Sequence, residues 1–589
     1  MSCRGFSFSG AMTRASLPLF LCFAGALPAV EFGHGPLVQW TGDPSTTAQI
    51  RWLEPANSGA VEGRWASGPA GFGYSDGDDA TVLSKMANRY DRLAIRRKIT
   101  LSPGVPGEAR LFLRVNYDDG FIAWMGGKEV ARRNVAIAAD GKVGVKDHEA
   151  GDWEEIELGN AAGLLGKDGA VLALQGFNKS KGSSDFTLDA RLEAKWGGKT
   201  VALLGKEAVW EYLAHKEPEK GWQKKSGAGK ESPVKAVETI AGLNFRTKGS
   251  AEWRSVAVKS QPFAGSRHRV RSAPLEGLTP GTEIELQIAG KDGTLSKTFS
   301  FRTAPGGDAP LRFVTGGDLY HSRAPMDAMN RRAGLEDPLF ALLGGDLAYT
   351  NDANPERWFD FIDSWVDNAR TPDGRLVPVV VVIGNHEVTN GAFRPLDAPG
   401  PTAATEFMSL FQMRREGLAN DTFDIGKNLS FVLLDSGHAG TIASQTAWLA
   451  SVLEERRGVK GMFVCYHRPA WGGGAKEDAV DIQREWCPLF EKFHVDAVFE
   501  NDHHVFCRSH PLIGGKIDEK LGIPYLGSGA WSVEVRKVDP AQMKKRPWIA
   551  KALAVNHLYV VETDDKGWSA EAKTADGTSF DRIERPWRR

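Results

Sequence analysis

Cysteine is scarce in this chain, with five in 589 residues. Cys3 and Cys22 lie near the N-terminus, leaving Cys465, Cys487 and Cys507 for the body of the protein. An odd set of that size can close at most one internal disulfide, which excludes a disulfide-stapled scaffold. The simplest reading of the three is small buried apolar side chains. An excess of either charge sign is also missing. Lys and Arg number 73 against 74 Asp and Glu, for a net charge of -1. That balance gives no sign of a nucleic-acid partner and no acidic bias towards disorder. Long apolar runs are lacking as well. The stretch from Leu17 to Ala29 is too short to span a bilayer, and no later stretch is long enough, so no stable membrane span is expected. Arg4 and Arg14 precede that stretch, and Ala24-Gly25-Ala26 and Ala29 offer small-residue cleavage points. Residues 1–29 therefore read as a signal peptide, with a secreted or periplasmic destination.

The chain is too long for a single core, so two to four domains are expected. Its 66 glycines and 18 tryptophans suit turn-rich β domains. Gly35 to Trp40 and Ala48 to Trp52 read as strands about the turn Gly42-Asp43-Pro44. A second strand-rich stretch runs from Val237 to Thr303, and Glu283 to Ile288 alternates polar and apolar residues as a half-buried strand does. The intervening residues 57–236 are too many for a loop and carry strands of their own. Arg110 to Val115 and Phe121 to Trp124 flank the turn Asp118-Asp119-Gly120, and Val171 to Gly176 and Asp185 to Asp189 follow. From Leu311 the pattern changes. Strands Leu311–Thr315, Leu339–Leu343 and Val377–Ile383 alternate with helices Pro325–Ala333 and Pro355–Ala369, which argues for a layered α/β domain over 311–589. A hairpin closes the chain around Asp564 to Gly567.

Five segments of the α/β region place metal-ligand side chains just after an apolar strand. They are Gly317-Asp318, Gly345-Asp346-Leu347-Ala348-Tyr349, Gly384-Asn385-His386-Glu387, Val464-Cys465-Tyr466-His467 and Asp502-His503-His504. Strand carboxyl ends gather in one crevice, so residues far apart in sequence can meet there. Carboxylates and imidazoles suit iron, zinc or manganese better than a thiolate-seeking ion. The number of candidates exceeds one tetrahedral shell and fits a pair of metals that clamps a phosphate and activates a water.

The ordered series resembles that of the purple acid phosphatases, whose segments read GD, GDxxY, GNHE, VxxH and GHxH. The resemblance implies an αββα metallophosphoesterase catalytic domain preceded by all-β sandwich domains. It implies that Asp318, Tyr349 and His504 hold one metal, that Asp346 bridges, and that Asn385 and His467 hold the second. His386 would stand beside the phosphate, and Glu387 would orient its neighbours. Two metal ions are implied, Fe(III) with Fe(II), Zn(II) or Mn(II), together with hydrolysis of phosphate esters on small molecules or polymers. Residues 30–56 and 237–305 resemble the two halves of a fibronectin-III-like sandwich, although Ile284 stands where such domains commonly carry tyrosine. Residues 57–236 resemble a jelly-roll, galactose-binding-like insertion, through which glycans could bind.

One segment departs from the series. Asn501 stands at its glycine and Asp502 at its first histidine. In an extended segment Asp502 and His504 would face the metals and His503 would face away. A twist would offer His503 instead. Other signals are weaker. Ser226 to Lys230 lacks the glycine and hydroxyl of a phosphate loop. Asp76-Gly77-Asp78-Asp79 fits no calcium loop and reads as a solvated turn. Trp124 and Trp153 could stack on sugars but suit packing better. Asn178-Lys179-Ser180 and Asn420-Asp421-Thr422 match glycosylation acceptors.

Overall fold

In the computed structural model the described residues are 32–588 without 56–64, 75–80, 84–85, 87–88, 103, 206–207, 215–216, 226–239, 267, 308, 392–400, 416 and 474–475. The signal-peptide stretch, the Asp76 turn and the Ser226 loop lie outside them.

Two facing sheets make the C-terminal half. In one, the parallel strands Leu311–Gly316, Ala341–Leu343 and Val379–Val381 lie side by side, and the C-terminal hairpin strands Leu558–Thr563, Gly567–Lys573 and Ser579–Pro586 extend it antiparallel. The other sheet is built on the parallel strands Leu429–Leu433, Gly461–Cys465, Ala497–Glu500 and Tyr525–Ser528. Alternation within these strands decides which layer each side chain enters. Phe463 and Phe499 point inward and meet Phe313, at ring-centroid distances of 5.9 and 6.0 Å. Met462, Val464 and Val498 point outward and are covered by helices Ile442–Glu455, Val480–Glu485 and Cys487–Lys492. Helices Arg323–Leu335 and Arg357–Asn368 flank the first sheet, with Trp358, Phe361, Ile362 and Trp365 buried in the same core. The result is the layered αββα arrangement expected from the alternating pattern. The helix and strand positions agree with expectation to within a few residues at each end.

The first sheet does not stop at the α/β domain. Gln39 pairs in parallel with Val379, and the Trp40 amide donates to the Val379 carbonyl at 3.0 Å. Strands His34–Gln39, Ala48–Glu54, Arg269–Leu275 and Lys259–Pro262 thereby continue that sheet to ten strands. A separate four-stranded sheet holds Ile240–Thr247, Arg254–Val256, Glu283–Gly290 and Phe299–Arg302. Every second residue of Glu283–Gly290 is buried, as its alternation requires. One core is shared by these strands and the α/β domain. The strand His34–Gln39 is thus an interior strand of the common sheet.

Between Glu54 and Ile240 lies a second sandwich with its own core. One sheet contains Arg110–Tyr117 and Phe186–Trp196, and the facing sheet contains Arg92–Ile99, Gly120–Met125 and Ala170–Phe177. Trp124 packs edge-on against Trp222, and the Arg191 guanidinium covers the Trp153 ring at 4.0 Å. Both rings are half-buried against neighbouring side chains. Asn178 and Asn420 are 3% and 2% exposed, so neither amide is presented as a glycosylation acceptor. Cys465, Cys487 and Cys507 are buried free thiols. Among the described residues no helix is long and apolar enough to cross a membrane.

Candidate metal centre

Each of the five segments leaves the carboxyl end of a strand and turns at once. Asp318, Asp346, Tyr349, Asp502 and His504 have φ between 53° and 65°, the left-handed region that non-glycine residues seldom occupy. Such conformations persist only where the surroundings impose them, and they concentrate at functional sites. Gly384 allows the close approach: a Cβ there would lie 2.2 Å from Asp346 Oδ1. Gly345, with φ of 93°, would place a Cβ 2.8 Å from His467 Nδ1.

The side chains form two adjoining trios. In the first, the Tyr349 hydroxyl lies 3.1 Å from Asp318 Oδ1 and 3.2 Å from His504 Nε2, and His504 Nε2 lies 3.1 Å from the same Asp318 oxygen. In the second, His467 Nε2 lies 3.3 Å from Asp346 Oδ2 and 3.8 Å from Asp502 Oδ1. Ligand atoms of Asp318, Asp346, His467 and Asp502 all fall within 4.8 Å of one another. These four residues are buried.

Hydrogen bonds aim the groups. His467 Nδ1 meets the Gly344 carbonyl at 2.8 Å, and His504 Nδ1 meets the Glu534 carbonyl at 3.2 Å. A carbonyl at Nδ1 fixes the tautomer that leaves an Nε2 lone pair. Glu387 accepts three backbone N–H bonds, from Gly384, Asp346 and Leu347, each at 2.8 Å. It thereby ties the Asp346 turn to the Asn385–Glu387 turn. The Asp502 amide donates to Asp318 Oδ2 at 2.8 Å, joining the first segment to the last. His386 stacks on Tyr349 at 4.2 Å, its Nδ1 lies 2.7 Å from Asn351 Oδ1, and its Nε2 stands 4.0 Å from Asp346 Oδ2. Asn385 begins the same turn, and its amide donates to the Gly391 carbonyl at 3.4 Å.

The electrostatics follow from this crowding. Burial raises the Asp346 carboxyl, but His467 and His386 outweigh it and hold it below its ordinary range. Asp502 is lowered in the same way by His467 and Lys476 against its own burial. Burial lowers His467, yet Asp346 and Asp318 win and push it up. The Tyr349 phenol is driven well above its ordinary value by burial and then by Asp318 and Asp346. Burial lowers His386, with Asp346 opposing.

A metal fits this arrangement. Asp346 Oδ2 and His467 Nε2 are both buried and face each other at 3.3 Å, with no well-formed hydrogen bond to any other group. A buried carboxylate oxygen and an imidazole nitrogen that have only each other to face are well placed to share a cation. The donor set of carboxylates and imidazoles is that of a divalent-metal site.

His503 does not join the group. Its ring packs on Gly472, where a Cβ would lie 2.1 Å from its Cε1, and burial lowers its pKa to about 3. The segment achieves this by left-handed turns at Asp502 and His504, not by extended alternation. The expectation of His503 as a ligand is corrected on that ground. Two participants escaped the sequence reading: Asn351, which holds His386, and Lys476, whose ammonium bonds Asp502 Oδ1. Lysine on a glycine-rich loop after the His467 segment was the available signal for the second.

Residues 311–506 match the family model of the calcineurin-like phosphoesterases. This stretch of the chain is a calcineurin-like phosphoesterase domain. Two uncharacterized proteins of Mycobacterium tuberculosis, from strains CDC 1551 / Oshkosh and ATCC 25618 / H37Rv, are each 32% identical over 300 residues, 44% of this chain and 54% of theirs. The chain thus spans about half the length of the curated relatives it matches. Purple acid phosphatase PPD1 from seeds of yellow lupin (Lupinus luteus) is similar in structure, with a TM-score of 0.51 at 13% identity over 84% of this chain and 96% of that one. At that identity the likeness speaks for the fold. The phosphoesterase domain and its buried Asp–His cluster together point to a site for divalent metal.

Proposed function

We propose that the chain is an exported phosphomonoesterase of the acid-phosphatase type with a dinuclear centre. The observation that carries this reading is the pair of adjoining trios, linked through Asp318, Asp346 and Asp502, whose ligand atoms lie within 4.8 Å of one another. Asp318, Tyr349 and His504 would hold one ion, His467, Asn385 and Asp502 the other, and Asp346 both. The bound pair would supply Lewis acidity to a phosphoryl oxygen and make a bound water acidic enough to attack. The chain's own residues do the rest. Asp346 keeps its charge in a buried position because His467 faces it. Glu387 fixes the two turns that aim Asp346 and Asn385. His386, held by Asn351, points its Nε2 into the cleft, where it can stabilise the phosphoryl group or protonate the departing alkoxide. Tyr349, whose hydroxyl joins Asp318 and His504, is an oxygen donor that suits a hard ferric ion at the first position.

The deciding experiment is Asp346→Ala in the full chain, assayed on a nitrophenyl phosphate monoester with metal content measured alongside. Activity and bound metal should disappear together while the circular dichroism spectrum is kept. Full hydrolysis by the variant would sink the reading. Rates on a matched diester separate a monoesterase from a diesterase, and a visible charge-transfer band reports tyrosinate on iron.

A further inference from the structure

The resemblance puts a neutral imidazole where this chain has Asp502, so the second metal position gains a full negative charge. The structure shows what offsets it. Lys476 Nζ bonds Asp502 Oδ1, the same oxygen that stands 3.8 Å from His467 Nε2. The lysine is not a loose surface group that happens to fold inward. Its backbone carbonyl accepts from Arg546 Nη2 at 3.3 Å, and Arg546 Nε donates to Asp478 Oδ2 at 3.2 Å two residues on. Asp478 Oδ1 in turn accepts the Gly472 amide at 3.0 Å. Arg546 is further held by Gln542 at 2.9 Å. The ammonium is therefore delivered to the carboxylate from backbone anchored at Lys476 and Asp478, with 31% of the lysine side chain and 10% of the aspartate side chain exposed.

We propose that Lys476 is a positioning residue for the second metal ion. Asp502 and Lys476 act as one unit with the net charge of a single imidazole, and the pair sets metal affinity at that position. This inference rests on the dinuclear reading above. Its logic fixes signs. Removing the lysine leaves a carboxylate with no competing cation, so the ion should bind more tightly. Replacing the aspartate by histidine leaves a cation beside the ion, so binding should weaken. Making both changes restores the net charge and should return affinity towards the parent value.

The test is calorimetric titration of the metal-stripped full chain with Mn²⁺, with ion stoichiometry from elemental analysis. Lys476→Met and Lys476→Gln should each tighten the weaker binding step by about tenfold or more, since a unit charge a few ångströms away acts on that scale even with generous screening. Asp502→His should weaken it by about the same factor. The double variant Asp502→His with Lys476→Met should fall within about threefold of the parent, as opposed charge changes of equal size require. In the metal-free protein Lys476→Met should lower the melting temperature, because Asp502 then stays buried with only His467, 3.8 Å away, to offset its charge. Unchanged or weakened Mn²⁺ binding in both lysine variants would overturn the proposal and leave Lys476 a substrate or structural contact. Saturation of the parent at one ion per chain would instead sink the dinuclear reading. The pair is then judged on that single ion with the same signs.

Discussion

Two clusters of buried carboxylates sit in this molecule and behave in opposite ways. In the phosphoesterase domain, Asp318, Asp346 and Asp502 converge with His467 and Lys476. Burial alone would raise Asp346 and Asp502, but the cations beside them hold both below their ordinary range. In the inserted sandwich, Asp118 and Asp119 are 4% and 5% exposed at the turn between Arg110–Tyr117 and Gly120–Met125. There burial, and then Asp119, Asp185 and Glu149, push Asp118 up to about 8. Asp119 meanwhile has its oxygens taken by the His148 and Lys179 amides, at 3.0 and 2.7 Å. The lesson is that burial does not decide the charge of a carboxylate; its company does. Asp346 and Asp502 stay ionised and are ready to receive a cation. The second is stabilised by a proton.

The largest effect should come from taking the charge out of the first cluster. Asp346→Asn keeps the shape and removes the central anion, and should cost about a thousandfold or more in kcat/KM, equivalent to several kcal/mol of metal-borne transition-state stabilisation. Steady-state kinetics on a phosphate monoester checks it. A milder blow falls on the support of that charge. Glu387→Gln offers its three backbone donors one oxygen and an amide group that cannot accept, so the turns at Gly384 and Asp346 should loosen. Metal affinity should fall by about 10- to 100-fold, as for other groups that orient ligands. An unchanged affinity would mean that the ionised state of the cluster does not depend on those turns.

How much of this contrast was legible in the sequence differs between its parts. Ligands directly after apolar strands are readable because strand ends must gather at one edge of a parallel sheet. Asp318, Asp346, His467 and Asp502 were placed that way, and the structure brings them together. The regular alternation of Glu283–Gly290 was equally plain. Pairing between Gln39 and Val379 was not, because an apolar strand carries no mark of which distant strand it will join. Lys476 was hidden for a related reason: it reaches Asp502 through a long side chain from a loop, with no periodic pattern to announce the contact. The opposite company of the two acidic clusters is likewise a property of packing, since Asp118-Asp119-Gly120 reads from sequence as a turn of the jelly-roll-like pattern and not as a buried acidic pair.

The smallest effect tests the second cluster. Asp118 has a folded value of about 8, far above the ordinary carboxyl value it regains on unfolding. Between those two values the folded state holds a proton that the unfolded chain releases, so stability falls as pH rises through that window and is fully present only below it. Asp118→Asn fixes the side chain in a neutral form and should remove this slope. At pH near 8 the variant should be more stable than the parent by on the order of 1–3 kcal/mol, the scale of one buried charge relieved. Near pH 4 the two should match, because the parent is then protonated as well. Hydrogen exchange of peptides covering Arg110–Met125 at both pH values reads the effect locally, free of changes at the metal centre. Equal protection of parent and variant at the higher pH would mean that the second cluster also has a cation, and the contrast between the two regions would fall.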